Sequence, residues 1–167
     1  MRRVALVTGG SRGIGASTAK LLGENGYFVC VNYRNRIDEA QSIVSQITSN
    51  GGKAFPHKTD GSNEQEVLSL FEAIDETFGS ITHLVNNAGI LLPQMSLLEM
   101  TEERINKILT TNVTSYFLCS RKAIKRMTNG GSIVNVSSGA SRSGSPNEYI
   151  DYAASKGAID TFTKGLA

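Results

Sequence analysis

The chain is poor in the residues that most often announce a function. Among 167 residues there are two cysteines and two histidines, too few for a disulfide framework or a Cys/His metal centre. Cys30 and Cys119 both fall inside apolar, periodic segments, where buried reduced thiols are expected and a cytoplasmic compartment follows. No His, Cys and Asp cluster has metal-ligand spacing, so no catalytic metal is expected. An excess of one charge is also missing. The 17 Lys and Arg against 15 Asp and Glu leave a net charge of +2, which excludes a basic nucleic-acid binder as a first reading. Long apolar runs are absent as well. After Met1-Arg2-Arg3 the run Val4 to Val7 stops at Thr8-Gly9-Gly10, so neither a secretory leader nor a membrane span is predicted. What remains is 40% hydrophobic and 19% charged, an ordinary globular balance, and at one domain per ~150 residues it makes a single domain.

Short strand-like runs alternate with longer helical patterns, and no linker interrupts them. Val4 to Thr8, Phe28 to Tyr33, Lys53 to Lys58, Thr82 to Asn86 and Ser132 to Ser137 are predicted strands, read as parallel and covered on both faces. Ile14 to Glu24, Asp38 to Thr48, Glu64 to Phe78 and Thr101 to Met127 carry apolar residues three and four apart and are predicted crossover helices. Gly26, Gly51-Gly52, Gly79 and Gly130-Gly131 fall where helices should stop, and Thr101 with Glu102-Glu103 reads as a capped start. The fold class is α/β, a doubly wound parallel sheet with helices on both faces. A helical pattern from Asp151 to Ala167 has no following strand, so the fold is expected to be incomplete at its C-terminal side.

Thr8-Gly9-Gly10-Ser11-Arg12-Gly13-Ile14-Gly15 joins the first strand to the first helix, where backbone amides and the helix dipole can face an anion. Gly9 permits the tight turn, Gly13 a close approach to phosphate, and Gly15 close packing of helix on strand. The acidic ribose partner expected about 20 residues on is replaced by Asn32-Tyr33-Arg34. Gly9, Ser11 and Gly13 also spell Gly-x-Ser-x-Gly, the pattern of an α/β-hydrolase nucleophile elbow with Ser11 as nucleophile. That remote alternative needs a downstream Asp and His, and His57 and His83 both fall at strand ends.

Four further segments join the glycine turn: Asp60 after the third strand, Asn86-Asn87-Ala88-Gly89 after the fourth, Asn112 in a long helix, and Tyr152-Ala153-Ala154-Ser155-Lys156 after Val136-Ser137-Ser138. In this order, from Val4 to Ala167, the chain resembles the short-chain dehydrogenase/reductase family. The resemblance implies a Rossmann-type fold and hydride exchange between a nicotinamide cofactor and a carbonyl or secondary alcohol. It implies that Thr8, Gly9, Ser11, Arg12, Gly13, Ile14 and Gly15 hold the pyrophosphate. Asp60 would bond the adenine amino group, with capping of the helix near Asn63 as its alternative role. Asn86, Ala88 and Gly89 would line the adenosine side.

Family members that use NAD resemble one another in an acidic residue at the end of the second strand. That position here is Tyr33, so no carboxylate repels a 2'-phosphate, and Arg34 with Arg12 could clamp one. NADP(H) is therefore the expected cofactor, ahead of NAD(H). Tyr152 and Lys156 stand four apart on one helix face, so an ammonium could favour the phenolate. By the resemblance Tyr152 is the general acid/base, Lys156 also bonds the nicotinamide ribose, Ser138 holds the substrate oxygen, and Asn112 holds a water that links Lys156 to solvent. Bonding a backbone carbonyl is the other role open to Asn112. Ser138 lies 14 residues before Tyr152, one more than the usual family gap, which leaves Ser137, or a one-residue loop insertion near Ser143 to Glu148, as alternatives. Tyr149 lacks a lysine four residues on and reads as part of a substrate loop.

Complete family members continue beyond this point into a substrate lid and a final strand. A cofactor-binding module without turnover is accordingly the main alternative. Ile90 to Met95 and Ser141 to Ile150 outline a mixed apolar and polar cleft for a small carbonyl or alcohol substrate, and nothing in them selects its class. The apolar residues of the long helix Thr101 to Met127 could simply pack on the sheet, but its length and the resemblance imply that it also pairs with its copy in a homodimer or homotetramer.

Overall fold

The computed structural model describes residues 2–167. Five parallel strands, β1 (Val4–Val7), β2 (Phe28–Tyr33), β3 (Lys53–Lys58), β4 (His83–Asn86) and β5 (Ser132–Asn135), form one sheet in the order β3-β2-β1-β4-β5. The register pairs Ala5 with Val29 on one side and with His83 on the other. Helices α1 (Gly13–Glu24), α2 (Ile37–Ser49), α3 (Glu64–Phe78), α4 (Glu102–Leu109), α5 (Ser115–Ile124), α6 (Ala140–Ser143) and α7 (Ile150–Leu166) complete the fold. The expected doubly wound α/β arrangement is present, and every predicted strand and crossover helix is found within a few residues of its expected ends. No helix among the described residues is long and apolar enough to cross a membrane.

Side chains that alternate along each strand feed two separate cores, because successive residues of a strand point to opposite faces. Leu6, Cys30 and Leu84 meet Leu70, Phe71 and Ile74 of α3 and Cys119 of α5. Val7, Val29, Val31 and Val85 meet Ala16 and Ala19 of α1 and Ile43 and Ile47 of α2 on the other face. Burying a side chain such as Phe71 or Leu70 contributes about 1.5–3 kcal/mol each. Helix ends follow local chemistry. Gly26, Gly51, Gly79 and Gly130 all take the left-handed φ at which helices stop. Thr101 caps α4 by accepting from the Arg104 amide, and Asn63 caps α3 by accepting from the amides of Gln65 and Glu66.

Three expectations need correction. Burial on both faces holds for β1, β2 and β4, whereas β3 and β5 lie at the sheet edges and Val134 is 55% exposed. The predicted helix from Thr101 to Met127 ends as helix at Ile124 and is broken by a π-turn over Thr110–Thr114, which adds a residue to one turn. Asn63 takes the cap that was open to Asp60, since the Asp60 carboxylate is occupied by Ser62 and Arg34.

The strand order places the site. The order in which strands are added reverses between the parallel neighbours β1 and β4, and the loops leaving their carboxyl ends must separate there, which opens a crevice. The glycine turn leaves β1 and the Asn87–Gly89 turn leaves β4, so the two flank that crevice.

Candidate functional site

Two asparagines fix the glycine turn. The Gly9 amide donates to the Asn32 side chain of β2 at 3.2 Å, and the Asn87 side-chain amide donates to the carbonyls of Thr8 and Gly9 at 2.9 and 3.1 Å. The Thr8 hydroxyl accepts from the amides of Asn87 and Ala88, which ties the β1 turn to the β4 turn. Gly15 is required by packing, because a Cβ there would meet the Gly9 carbonyl and the Asn87 side chain. Gly13 is different: it has φ +54° and nothing within 4 Å of a Cβ position, so the backbone there faces open space.

That space is a cavity of about 540 Å³, lined in part by Gly9, Ser11, Arg12, Gly13 and Ile14. Tyr33, Arg34 and Arg36 line it from the end of β2, and Asn87, Ala88 and Gly89 from the end of β4. Thr8 and Gly15 do not line it; their contacts with Asn87, Ala88 and Gly9 hold the turn in place. Asn86 is buried and turned away, donating to the Ser120 hydroxyl and to the Asn135 side chain. Asn87, which the sequence motif did not single out, takes the lining position.

Arg34 reaches Asp60 at 2.8 Å. Burial alone would raise the Asp60 carboxyl; hydrogen bonds from the Ser62 hydroxyl and amide, with Arg34, outweigh it and hold the carboxyl below its ordinary range. Arg36 is paired with Glu39 instead.

Asn112 sits in the π-turn, fully buried, with its side chain spent on three partners. Its oxygen accepts from the Ile90 amide at 2.8 Å, and its NH₂ donates to the Ile90 carbonyl at 3.0 Å and the Ser155 hydroxyl at 3.1 Å. Ser155 in turn donates to the Tyr152 carbonyl at 2.7 Å. The Asn112 side chain bonds the Ile90 backbone carbonyl and joins the loop after β4 to the turn of α7 that carries Tyr152.

Lys156 is buried, with Nζ 5.8 Å from the centre of the Tyr152 ring. It donates to the Val136 carbonyl at 2.7 Å and to the Tyr116 hydroxyl at 3.3 Å. Burial lowers its pKa to about 8, against an opposing pull from Asp160. Gly89 links this cluster to the cavity, since a Cβ there would stand 3.8 Å from Lys156 Nζ. The Ser138 hydroxyl accepts from the Ala140 amide at 3.2 Å, which starts α6, while Ser137 donates to the Lys156 carbonyl at 3.4 Å. Tyr149 ends the loop that meets the Ile90–Met95 segment, where the Met95 amide donates to the Glu148 carbonyl. Tyr116 escaped the sequence reading because a tyrosine at an apolar helix position reads as core.

The alternative built on Ser11 fails on geometry. His57 bonds the Thr59 hydroxyl and His83 bonds Thr82 at the opposite end of the sheet, so neither histidine serves Ser11.

Comparison with known proteins agrees with the fold. The family described as short chain dehydrogenase matches residues 3–167. The chain is 57% identical to the uncharacterized oxidoreductase YgfF of Escherichia coli (strain K12), over 98% of this chain and 68% of that protein. It is 36% identical to the 3-oxoacyl-[acyl-carrier-protein] reductase FabG of Staphylococcus aureus (strain Mu50 / ATCC 700699), over 100% of this chain and 68% of the relative. The short chain dehydrogenase claC of Passalora fulva is 35% identical over 97% of this chain and 60% of its own length. The chain thus spans roughly two thirds of the length of these relatives.

Proposed function

Since the chain belongs to the short-chain dehydrogenase/reductase family, we propose that it is an NADP(H)-dependent oxidoreductase that interconverts a carbonyl and a secondary alcohol, with Tyr152 as general acid/base. The observation that carries this reading is that Gly89, which lines the cavity, adjoins the buried Lys156 cluster. The glycine turn, three arginines and Gly89 line one space, and Lys156 Nζ lies beside Gly89 with the Tyr152 ring next to it. The residues present fit a dinucleotide: open backbone at Gly13 suits a diphosphate, and Arg12 and Arg34 suit a further phosphate with no acidic residue at Tyr33 to repel it. When bound, the nicotinamide supplies or receives the hydride.

The chain's own residues do the rest. Tyr152 gives a proton to the carbonyl oxygen in reduction and takes it from the alcohol in oxidation. Lys156, as an ammonium, favours the phenolate and offers a donor to the ribose. Ser138 orients the reacting oxygen once its hydroxyl turns from Ala140, with Ser137 as the second candidate. Asn112 braces α7 through Ser155. The substrate is a small carbonyl or alcohol entering between Ile90–Met95 and Ser141–Ile150. Residues 1–167 form one cofactor-binding domain. It works in the cytoplasm, in keeping with the buried free thiols of Cys30 and Cys119, and as a homodimer or homotetramer joined through the exposed Leu109, Phe117 and Ile124 of α4 and α5.

Fluorescence titration with NADPH and NADH, followed by a panel of carbonyl substrates, tests the whole reading. Tighter NADPH binding with turnover, lost by about 10²–10⁴-fold in kcat in Tyr152→Phe with binding kept, is the expected result. Binding without turnover would leave a cofactor-binding module, and turnover retained by Tyr152→Phe would discard the mechanism. Gel filtration as a monomer at micromolar concentration would remove the oligomer.

A further inference from the structure

We propose that Tyr116 is a positioning residue for this chemistry: its hydroxyl, together with the Val136 carbonyl, holds the Lys156 ammonium beside Tyr152 with one N–H left for the cavity. The inference rests on the oxidoreductase reading above. Tyr116 is 1% exposed in α5, so its hydroxyl must find its partners inside the protein. It donates to the Val136 carbonyl at 3.2 Å and lies 3.3 Å from Lys156 Nζ, which itself donates to the same carbonyl at 2.7 Å. A phenol has one proton, and here that proton is committed to Val136. What Tyr116 presents to Lys156 is therefore a lone pair, which suits an ammonium and gives a neutral amine nothing to accept.

The triangle accounts for two of the three ammonium protons. The third has no partner among the described residues, and the Cβ position of Gly89, a residue that lines the cavity, lies 3.8 Å from Nζ. The same contacts tie together α5 through Tyr116, the end of β5 through Val136, and α7 through Lys156. A lysine this deeply placed loses charge readily, and its pKa is already lowered to about 8 by burial. The groups acting on it are few: the phenols of Tyr116 and Tyr152, the Val136 carbonyl, and Asp160 one turn further along α7, which pulls its pKa upward. Tyr116 is the one that a single isosteric change removes without touching the rest.

Tyr116→Phe keeps the ring in the core, and the Val136 carbonyl still accepts from Lys156, so the fold should survive. The ¹⁵Nζ resonance of Lys156, assigned by its absence in Lys156→Met, is titrated in the parent protein and in Tyr116→Phe by NMR. The midpoint is expected to fall by about one pH unit in the variant, because the cation loses an acceptor. The alkaline limb of kcat for carbonyl reduction is expected to fall with it, while NADPH affinity at pH 6.5 stays within about twofold. Unmoved midpoint and limb in an actively turning-over variant would overturn the role of Tyr116 and leave the oxidoreductase reading intact. A shifted midpoint with no carbonyl turnover in either protein would overturn that reading, and the positioning role with it, while the contact itself stands.

Discussion

Arg104 and Asp151 form an ion pair at 2.8 Å with side chains only 10% and 3% exposed, one residue away from Tyr152. The second Asp151 oxygen accepts from the Tyr152 amide at 2.9 Å, so one carboxylate both pairs across to α4 and closes the first turn of α7. Arg104 also buries an Nη2 with no partner, which makes its single neutralising contact costly to lose. Asp151→Leu is expected to lose about 3–5 kcal/mol of stability, because it strands a buried guanidinium. The double variant Arg104→Met/Asp151→Leu should recover most of that. Urea denaturation of the two variants decides it; equal losses would show that the pair is not the source of the cost.

Arg34 sets the second expectation. It is held by Asp60 at 2.8 Å at the mouth of the cavity, in place to exchange that carboxylate for a phosphate. Arg34→Ala should weaken NADPH binding by about tenfold or more and change NADH binding little, since the proposed charge-assisted bond to the 2'-phosphate would be lost. Unchanged NADPH affinity in a fluorescence titration would remove the clamp.

Lys156 predicts a pH dependence of stability whose sign can be worked out. Its folded pKa lies near 8 against 10.5 when exposed, so between these values the unfolded chain binds more protons than the folded one. Stability must then rise with pH across this window from the Lys156 contribution, and the penalty is present in full below pH 8. Lys156→Met is expected to be more stable than the parent by about 2 kcal/mol at pH 7, with the gap closing above pH 10. Denaturant midpoints of both proteins at several pH values measure it, and a gap that widens with pH would contradict the sign.

Two glycines of the same turn should fail differently. Gly15→Ala drives a methyl group into the Gly9 carbonyl and the Asn87 side chain, so both stability and cofactor affinity should drop. Gly13→Ala meets no atom within 4 Å but must hold φ +54°, which costs about 1–2 kcal/mol, and its methyl group would enter the open space proposed for the diphosphate. Thermal melts with cofactor titrations separate them: affinity lost with a modest change in Tm is the signature expected at Gly13.

Much of this architecture could be read from the residues alone. Helix α3 ends where Gly79 makes it end, and the apolar periods of α1 to α3 name the faces they bury. What escaped the reading depends on partners far along the chain. The π-turn at Thr110–Thr114 leaves the three- and four-residue period nearly intact, and Asn112 on it bonds Ile90 and Ser155, 22 and 43 residues away. Arg104 looks like one more charge on a polar helix, until α7 brings Asp151 to it from 47 positions on. Asn86 and Asn87 are adjacent and chemically identical, and only the strand's alternation decides that the first turns toward β5 and the second toward the glycine turn.

The bond between the Thr8 hydroxyl and the Ala88 amide has a kinetic consequence. It spans 80 positions of chain, and the β1–β4 pairing beneath it closes a loop that contains α1, β2, α2, β3 and α3. Local βαβ units can form while that loop is open, but the crevice between the two turns cannot, because one wall comes from each side of the closure. The cavity therefore cannot form before that closure. The proposed cofactor, added during refolding, would meet no complete binding surface until the middle of the sheet had joined, and its fluorescence would time that closure.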